Sequence, residues 1–195
     1  MSLTPNTDAN VMPNYRHGVS NVTVALQLAA GSYGTPWKEV GVQSIAPQRA
    51  ERSKTRSYSD NGKAATLAAA KGNDTLSVQY ASLSPYWNVN VLGHSVNQTT
   101  GGVVKSHDDT PAIIAFGYQL EGTLKSCRVW HYGCLAEDPN ASNQSDGESV
   151  TEAPETFNVE VCGDNFADGE HFEEVCWEGD PGYETFLDAV PTYTV

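Results

Sequence analysis

Apolar and polar residues alternate with a period of two in several short segments of this 195-residue chain. In 22–28, Val and Leu alternate with Thr, Ala and Gln, and similar patterns return in 76–80 and 157–161. Because successive side chains of a β-strand point to opposite faces, this alternation predicts strands with one packed and one polar face. Short strands joined by many turns predict a mainly β fold rather than a helical bundle.

The run 111–120 is apolar on both faces at its start, so we expect it in the middle of a sheet. A turn at Glu121 and Gly122 would join it to a hairpin partner at 126–135. The segments 37–46 and 48–58 are further strand candidates.

Two short helices have recognisable ends. The first is expected to begin at Ser84, an N-cap residue followed by proline, and to end at Gly93. The second is expected to begin at Asp180 and to stop before Pro191. Its apolar side would be formed by Tyr183, Phe186, Leu187 and Val190.

The chain is long enough for one domain with extended arms. We expect an N-terminal arm at 1–17 and a β domain at 18–195. The β domain would carry a long hairpin loop near 46–63, a polar loop at 136–150 and an acidic C-terminal segment at 163–195. The arm and the two loops have too little apolar surface to offset the entropy of ordering, so we expect contacts with neighbouring copies to order them.

Charge is distributed unevenly along the chain. All eleven Lys and Arg lie between Arg16 and Arg128, whereas the last 67 residues hold sixteen Asp and Glu and no basic residue. The net charge is −13, and an anionic surface repels phosphate. The composition therefore argues against a protein that grips nucleic acid. A simpler interpretation is that the acidic residues keep the chain soluble.

A concentrated basic cluster lies in and around the predicted hairpin loop. It lacks interleaved aromatic residues, so a nucleic-acid platform is a poor interpretation. Either it is a solvated hairpin, or it docks an acidic partner such as the C-terminal third of another copy. The candidate self-assembly hairpin comprises Arg49, Glu51, Arg52, Lys54, Arg56, Tyr58 and Asp60. The candidate acidic partner or lumen surface comprises Glu152, Glu155 and Glu160.

Residues suited to catalysis or cofactor binding are sparse. The Ser-His-Asp-Asp run at 106–109 is typical of a polar loop rather than of a catalytic triad. The segment 164–174 is similar to a calcium loop, but Phe166 stands where an oxygen ligand is required. The four cysteines lack the close pairs of structural zinc sites, and no nucleotide-binding motif occurs. We expect no enzyme, no cofactor and no metal site, and no apolar stretch reaches membrane-spanning length.

Several motifs occur in an order and spacing that resemble one family. They are Gly18-Val19-Ser20-Asn21-Val22, Tyr33-Gly34-Thr35-Pro36, Tyr58-Ser59-Asp60-Asn61-Gly62, the strand and helix of 74–93, the buried strand of 111–116, the late strand of 148–161, and Tyr183-Glu184-Thr185-Phe186-Leu187. Through them the chain resembles the major tail (tail tube) proteins of long-tailed (siphovirus) bacteriophages, over about residues 15 to 195.

This resemblance implies a two-sheet β-sandwich or half-barrel with one or two short flanking α-helices. Oligomerisation would complete a β-barrel tube of stacked hexameric rings, which closes the sheet edges and conducts the genome during ejection. The implied partners are other copies of the chain, a tape-measure protein, tail terminator or adaptor proteins, and double-stranded DNA in non-specific passage. The implied location is the virion, after synthesis in the bacterial host cytoplasm, with no membrane association.

The resemblance also suggests a role for the negative charge in the passage of DNA. Six copies at −13 give −78 per ring, and duplex DNA carries a negative charge about every 1.7 Å. A repulsive lumen would leave the DNA hydrated and mobile, whereas a cationic lumen would hold it.

A competing interpretation is a monomeric β-sandwich binding module that recognises glycan or protein on a bacterial or virion surface. Trp37, Trp130 or Trp177 would then serve as stacking platforms, although a Trp in a strand is more often part of the core. The two interpretations differ in whether the chain assembles with itself.

Overall fold

The structure is a computed structural model that describes residues 14–59, 62–140 and 153–193, with the backbone alone described for 52–59 and 62–71. The strands are β1 (Arg16–Ala29), β2 (Ser32–Tyr33), β3 (Trp37–Lys38), β4 (Val42–Gln48), β5 (Arg52–Ser59), β6 (Gly62–Lys71), β7 (Asp74–Tyr80), β8 (Ser95–Val96), β9 (Val103–Val104), β10 (Ile114–Gly122), β11 (Cys127–Ala136), β12 (Glu155–Val161), β13 (Asp164–Phe166), β14 (Gly169–His171) and β15 (Glu173–Trp177). One α-helix, α1 (Pro85–Asn90), and one 3-10 helix (Tyr183–Thr185) complete the elements of the described chain.

Antiparallel pairing joins most strands into one large sheet in the order β2-β1-β10-β11-β12-β7-β4. Strand β3 adds to β1, and β15 adds to β11. The alternating segments of the sequence lie in β1, β7 and β12, and the hairpin of 111–120 with 126–135 is β10 with β11. The predicted mainly β fold is confirmed, and in the described residues the sheet does not close into a barrel.

The sheet divides at β11. Residues 127–131 of this strand pair with β15, whereas residues 134–136 pair with β12. Gly133 lies between the two sections with φ +59, and a Cβ added there would stand 1.9 Å from the carbonyl oxygen of Gly163. Only glycine fits this close approach, so Gly133 is where the two branches of the sheet separate.

The main core lies on one face of the large sheet. Buried side chains from β1, β7, β10, β11 and β12 meet there, and α1 contributes Trp87, which is fully buried and edge-on to Phe116. A second cluster covers the outer face of β10 and β11, where Trp130 and Tyr132 pack against Phe186 and Leu187. The central strands are thus buried on both faces, as the apolar run in 111–120 predicts.

The first predicted helix is confirmed, and the second is wrong. Ser84 accepts a hydrogen bond from the Trp87 N–H at 3.1 Å and caps α1, as expected. Near the C-terminus only one 3-10 turn forms, although Tyr183, Phe186 and Leu187 are buried as predicted. Side chains of β11 donate hydrogen bonds to the carbonyl oxygens of residues 183, 184 and 186. These carbonyl groups therefore face the sheet, and an α-helix does not form.

Three predicted features differ from the structure in their bounds: a strand, a hairpin loop and a turn. The strand expected at 37–46 is two strands, β3 and β4, because Gly41 between them takes φ +100. The expected hairpin loop 46–63 includes the end of β4 and all of β5, and its partner strand β6 extends to Lys71. The turn predicted at Glu121 and Gly122 begins after Gly122 instead, since β10 continues to that residue.

Candidate assembly surfaces

The base of the β5–β6 hairpin is closed by a buried carboxylate. Arg49 precedes β5, and its Nη1 donates to Asp74 Oδ2 at 2.9 Å, where Asp74 follows β6. The Ala50 N–H donates to the other oxygen of Asp74 at 2.8 Å. Arg49 Nη2 donates to Glu173 Oε2 of β15 at 2.5 Å. Arg49 therefore ties the hairpin to both branches of the sheet.

A buried histidine lies behind this ion pair. His131 Nε2 is 3.1 Å from the Tyr118 hydroxyl, and its Nδ1 is 3.6 Å from Glu173 Oε2. Burial, and then the positive charge of Arg49, lower the pKa of His131 from 6.5 to about 3. The imidazole is therefore neutral near pH 7, and Arg49 is the cation that balances Glu173.

The remaining residues of the candidate hairpin are only partly placed. Glu51 is exposed at the start of the hairpin. Four others lie on β5, where Arg52 pairs with Lys71, Lys54 with Ala68, Arg56 with Thr66 and Tyr58 with Lys63. Asp60 lies outside the described residues. The role of this hairpin in self-assembly stays a prediction.

The structure does not bring Glu155 and Glu160, the two candidate acidic residues that it describes, together on one surface. Glu155 and Glu160 both lie on β12, but an odd separation places them on opposite faces of the strand. Glu155 accepts a hydrogen bond from the Leu83 N–H at 2.7 Å and holds the turn before α1. Glu160 is exposed and accepts from the Asn73 amide at 2.9 Å. Glu152 lies outside the described residues.

Several strand edges are open in the described part of the chain, and two of them, on β4 and β15, belong to different branches of the large sheet. Strand β4 pairs with β7 on one side, and β15 pairs with β11 on one side. Among the described strands, none pairs with the other side of either. Open edges present unpaired backbone N–H and C=O groups, which can pair with another chain.

The C-terminal cover, defined as residues 183–193, closes one outer face of the sheet. Arg128 donates to the carbonyl oxygens of Tyr183 and Glu184, at 2.7 Å for Glu184, and Trp130 Nε1 donates to that of Phe186 at 2.8 Å. Arg128 also lies over the Tyr183 ring, 4.3 Å from its centroid. This cover is fixed to β11 by polar as well as apolar contacts.

The three tryptophans proposed as stacking platforms lie in different environments. Trp130 is fully buried, so it is a core residue and not a platform. Trp37 is half-buried and lies edge-on to Tyr86, while Trp177 is 37% exposed with Arg16 5.2 Å from its ring centroid. They do not form one surface, since β3 and β15 attach to different parts of the sheet.

The loop at 106–109 packs around a buried histidine from outside that motif. His94 Nδ1 is 2.8 Å from Asp109 Oδ2, which also accepts the Ser106 N–H at 2.8 Å. On its other side His94 Nε2 is 3.3 Å from Asp138 Oδ1. These contacts join three loop segments. The Ser106 hydroxyl accepts a hydrogen bond from the Asp108 N–H, and its contacts in this loop include no histidine.

The calcium-like segment has a structural use instead. Asp164 Oδ2 accepts hydrogen bonds from the Gln27 amide, the Gly31 N–H and the Tyr33 hydroxyl, at 2.7, 2.9 and 2.7 Å. Burial alone would raise the pKa of Asp164, but these hydrogen bonds lower it below its ordinary value. Phe166 packs in an aromatic group with Tyr132 and other rings.

Within the described residues, no group of three or more His, Cys, Asp or Glu side chains is arranged to hold a metal ion. The four cysteines are free thiols, and Cys162 is the only one of them that is not buried. No helix in the described part of the chain has the length and apolar character needed to cross a membrane.

This chain has only distant similarity to known proteins. No family model and no curated protein matches this chain. A solved chain from the cryo-EM structure of the anti-feeding prophage (AFP) baseplate, sixfold symmetrised, matches with 11% identity and a TM-score of 0.44. The match covers 90% of this chain and 97% of that chain.

Sequence reasoning missed the residues that organise these surfaces. Asp74, Glu173 and His131 are far apart in sequence and belong to no shared motif, so only the fold brings them to Arg49. One signal was available. A charged residue such as Asp74 at the first position of an otherwise alternating strand, next to the basic cluster, indicates an ion pair at the strand entrance.

Proposed function

We propose that this chain is a structural, non-catalytic protein of a bacteriophage tail tube. In this proposal copies assemble into hexameric rings, and the rings stack into a tube through which double-stranded DNA is ejected. A tape-measure protein and tail terminator or adaptor proteins would be its further partners, and the virion its location. The sequence resemblance suggests this role, and the surfaces of the chain support it.

The observation that carries the proposal is that, among the described strands, β4 and β15 each leave one edge unpaired. They lie on different branches of the sheet, so one copy can offer an edge that differs from the edge it receives. Contacts of this head-to-tail kind generate rings when the rotation between copies closes. A ring of such copies would leave neither edge exposed to uncontrolled pairing.

Charge supports the same kind of contact. Residues 49–71 contain six basic and two acidic residues, whereas 153–193 contain eleven acidic and no basic residue. Opposite charges on two regions of one chain favour contacts between unlike surfaces of two copies over contacts between identical surfaces. Screening by salt would weaken this attraction, since the Debye length falls to about 3 Å at 1 M ionic strength.

The proposal is tested by purifying the chain and following its size as concentration is raised at low and high salt. Analytical ultracentrifugation and negative-stain electron microscopy should show hexameric rings or tubes, with less assembly at high salt. A chain that stays monomeric across all concentrations and salt conditions would exclude the tail tube role and favour the monomeric binding module.

A further inference from the structure

The outer face of the sheet is polar on β4, β7 and β12, and no other described part of the chain covers it there. On β4, β7 and β12, alternate residues point away from the core, and the strand register aligns them in three rows. We call these nine positions the polar face. Its rows are Ser44–Gln79–Thr156, Ala46–Ser77–Asn158 and Gln48–Thr75–Glu160.

The polar face contrasts with the outer face of the neighbouring strands. The C-terminal cover buries the outer side of β10 and of the first half of β11. On β4 and β12 the polar-face residues are exposed, and on β7 they are half-buried between these two strands. The C-terminal cover thus closes one half of the outer face, while within the described ranges the other half is left open.

The chemistry of the polar face is unusual for a surface that binds protein. It has no aromatic residue and no large apolar residue, so it offers none of the anchors that bury well in interfaces. Its side chains are nearly all hydroxyls and amides, and several bond to nearby groups. Ser44 donates to Gln79 at 3.3 Å, and Asn158 donates to Glu137 at 3.0 Å. The face is suited to remain in water.

The polar face also has no cation. None of its nine positions is Lys or Arg, and Glu160 is its one charged residue. Arg49 follows the end of one row, but its guanidinium is turned to Asp74 and Glu173. Glu137, beside Asn158, adds a second negative charge at the margin. Tight binding of duplex DNA requires Lys or Arg to neutralise phosphates, and this face supplies none.

We propose that the polar face lines the water-filled channel of the assembled tube and is the surface past which duplex DNA moves. This inference rests on the proposed function. Hydroxyl and amide groups offer the DNA brief hydrogen bonds, and six copies of Glu160 per ring add a weak repulsion in place of neutralisation. The open edge of β4 borders this face, so pairing there would extend the same lining toward the next copy.

The orientation is tested by cysteine labelling in a Cys162→Ser background, because the other three thiols are buried. Asn158→Cys places a thiol on the polar face, and Glu184→Cys places one on the C-terminal cover, where the Glu184 side chain is 87% exposed. Each protein is treated, free and assembled, with N-ethylmaleimide and with a bulky polyethylene glycol maleimide.

In free protein both reagents should label both variants. In tubes, N-ethylmaleimide should still label Asn158→Cys, whereas labelling by the bulky reagent should fall to the level of the Cys162→Ser parent. Glu184→Cys should keep its reaction with the bulky reagent. Any other pattern in formed tubes contradicts the orientation.

A second variant on the polar face shows whether the labelling of Asn158→Cys reflects the whole face or only its own surroundings. Ala46 is exposed on the same face and has no side-chain polar group to lose, so Ala46→Cys should behave as Asn158→Cys does. If neither the unsubstituted chain nor the Cys162→Ser parent forms tubes, the proposed function fails. If tubes form and the bulky reagent still labels both polar-face cysteines, this inference alone fails.

Discussion

At the scale of single residues, His131 makes stability depend on pH. The folded protein holds its pKa at about 3, whereas an unfolded histidine takes up a proton near pH 6.5. The unfolded state therefore binds more protons as pH falls below 6.5, and folding stability decreases. The contribution of neutral His131 to the free energy of unfolding is complete above pH 6.5 and is lost progressively as the pH falls toward 3.

We predict that, because of His131, the free energy of unfolding falls by about 2–3 kcal/mol when the pH is lowered from 7.5 to 4.5, at roughly 1.4 kcal/mol per pKa unit. His131→Gln cannot titrate there and should show a correspondingly flatter profile. Urea unfolding of both proteins at the two pH values measures the difference. Parallel pH profiles for the two proteins would show that His131 is not the source.

Gly133 is the residue on which the division of the sheet depends. A Cβ there would meet the Gly163 carbonyl oxygen at 1.9 Å, so Gly133→Ala should lose about 3 kcal/mol or more of unfolding free energy. Gly101→Ala is the matched control, because Gly101 has a similar φ of +72 with nothing within 4 Å. It should lose only about 1–2 kcal/mol. Equal losses in urea unfolding would contradict the steric explanation.

At the scale of elements, the sequence predicted those strands whose two faces differ. The alternation in β7 and β12 follows directly from burial on one face, so it was visible without the fold. The C-terminal cover was only half predictable. The sequence predicted its apolar positions. It did not predict that Arg128 and Trp130 bind carbonyl groups that a helix would use, because these residues are distant in sequence from the cover.

The β5–β6 hairpin shows the same limit for the candidate site. Its basic residues were recognised as a group, but Arg49 differs from the rest because Asp74 and Glu173 hold it within the chain. Carboxylates from distant strands meet it only after the sheet has formed. The polar face was likewise hidden, since its three rows depend on the register between strands.

We predict that Arg49→Gln loosens the hairpin without unfolding the domain. The Arg49 side chain is 48% exposed, so the loss of both ion pairs should cost only about 1–2 kcal/mol. Hydrogen exchange should rise in peptides from 52–59 and 62–71 and stay unchanged in β10. Lys38→Gln, which removes an exposed charge from β3, is the control and should leave hairpin exchange as it is. Unchanged hairpin exchange in Arg49→Gln would rule out the clamp.

At the scale of the whole molecule, the chain combines a well-packed centre with an unfinished periphery. Its middle strands are buried on both faces, while β4 and β15 each keep an open edge within the described residues. On the outer face of the sheet, the C-terminal cover closes the part over β10 and β11, and the part on β4, β7 and β12 is polar. In the proposed assembly, neighbouring copies pair with these two edges, which lie on different branches of the sheet.

The most direct measurement of this central claim is hydrogen exchange, followed by mass spectrometry, on the free and the assembled protein. If neighbouring copies complete the sheet, peptides from β4 and β15 should gain protection on assembly, while those from β10, already buried, should not change. Equal exchange at both edges before and after assembly would contradict the account.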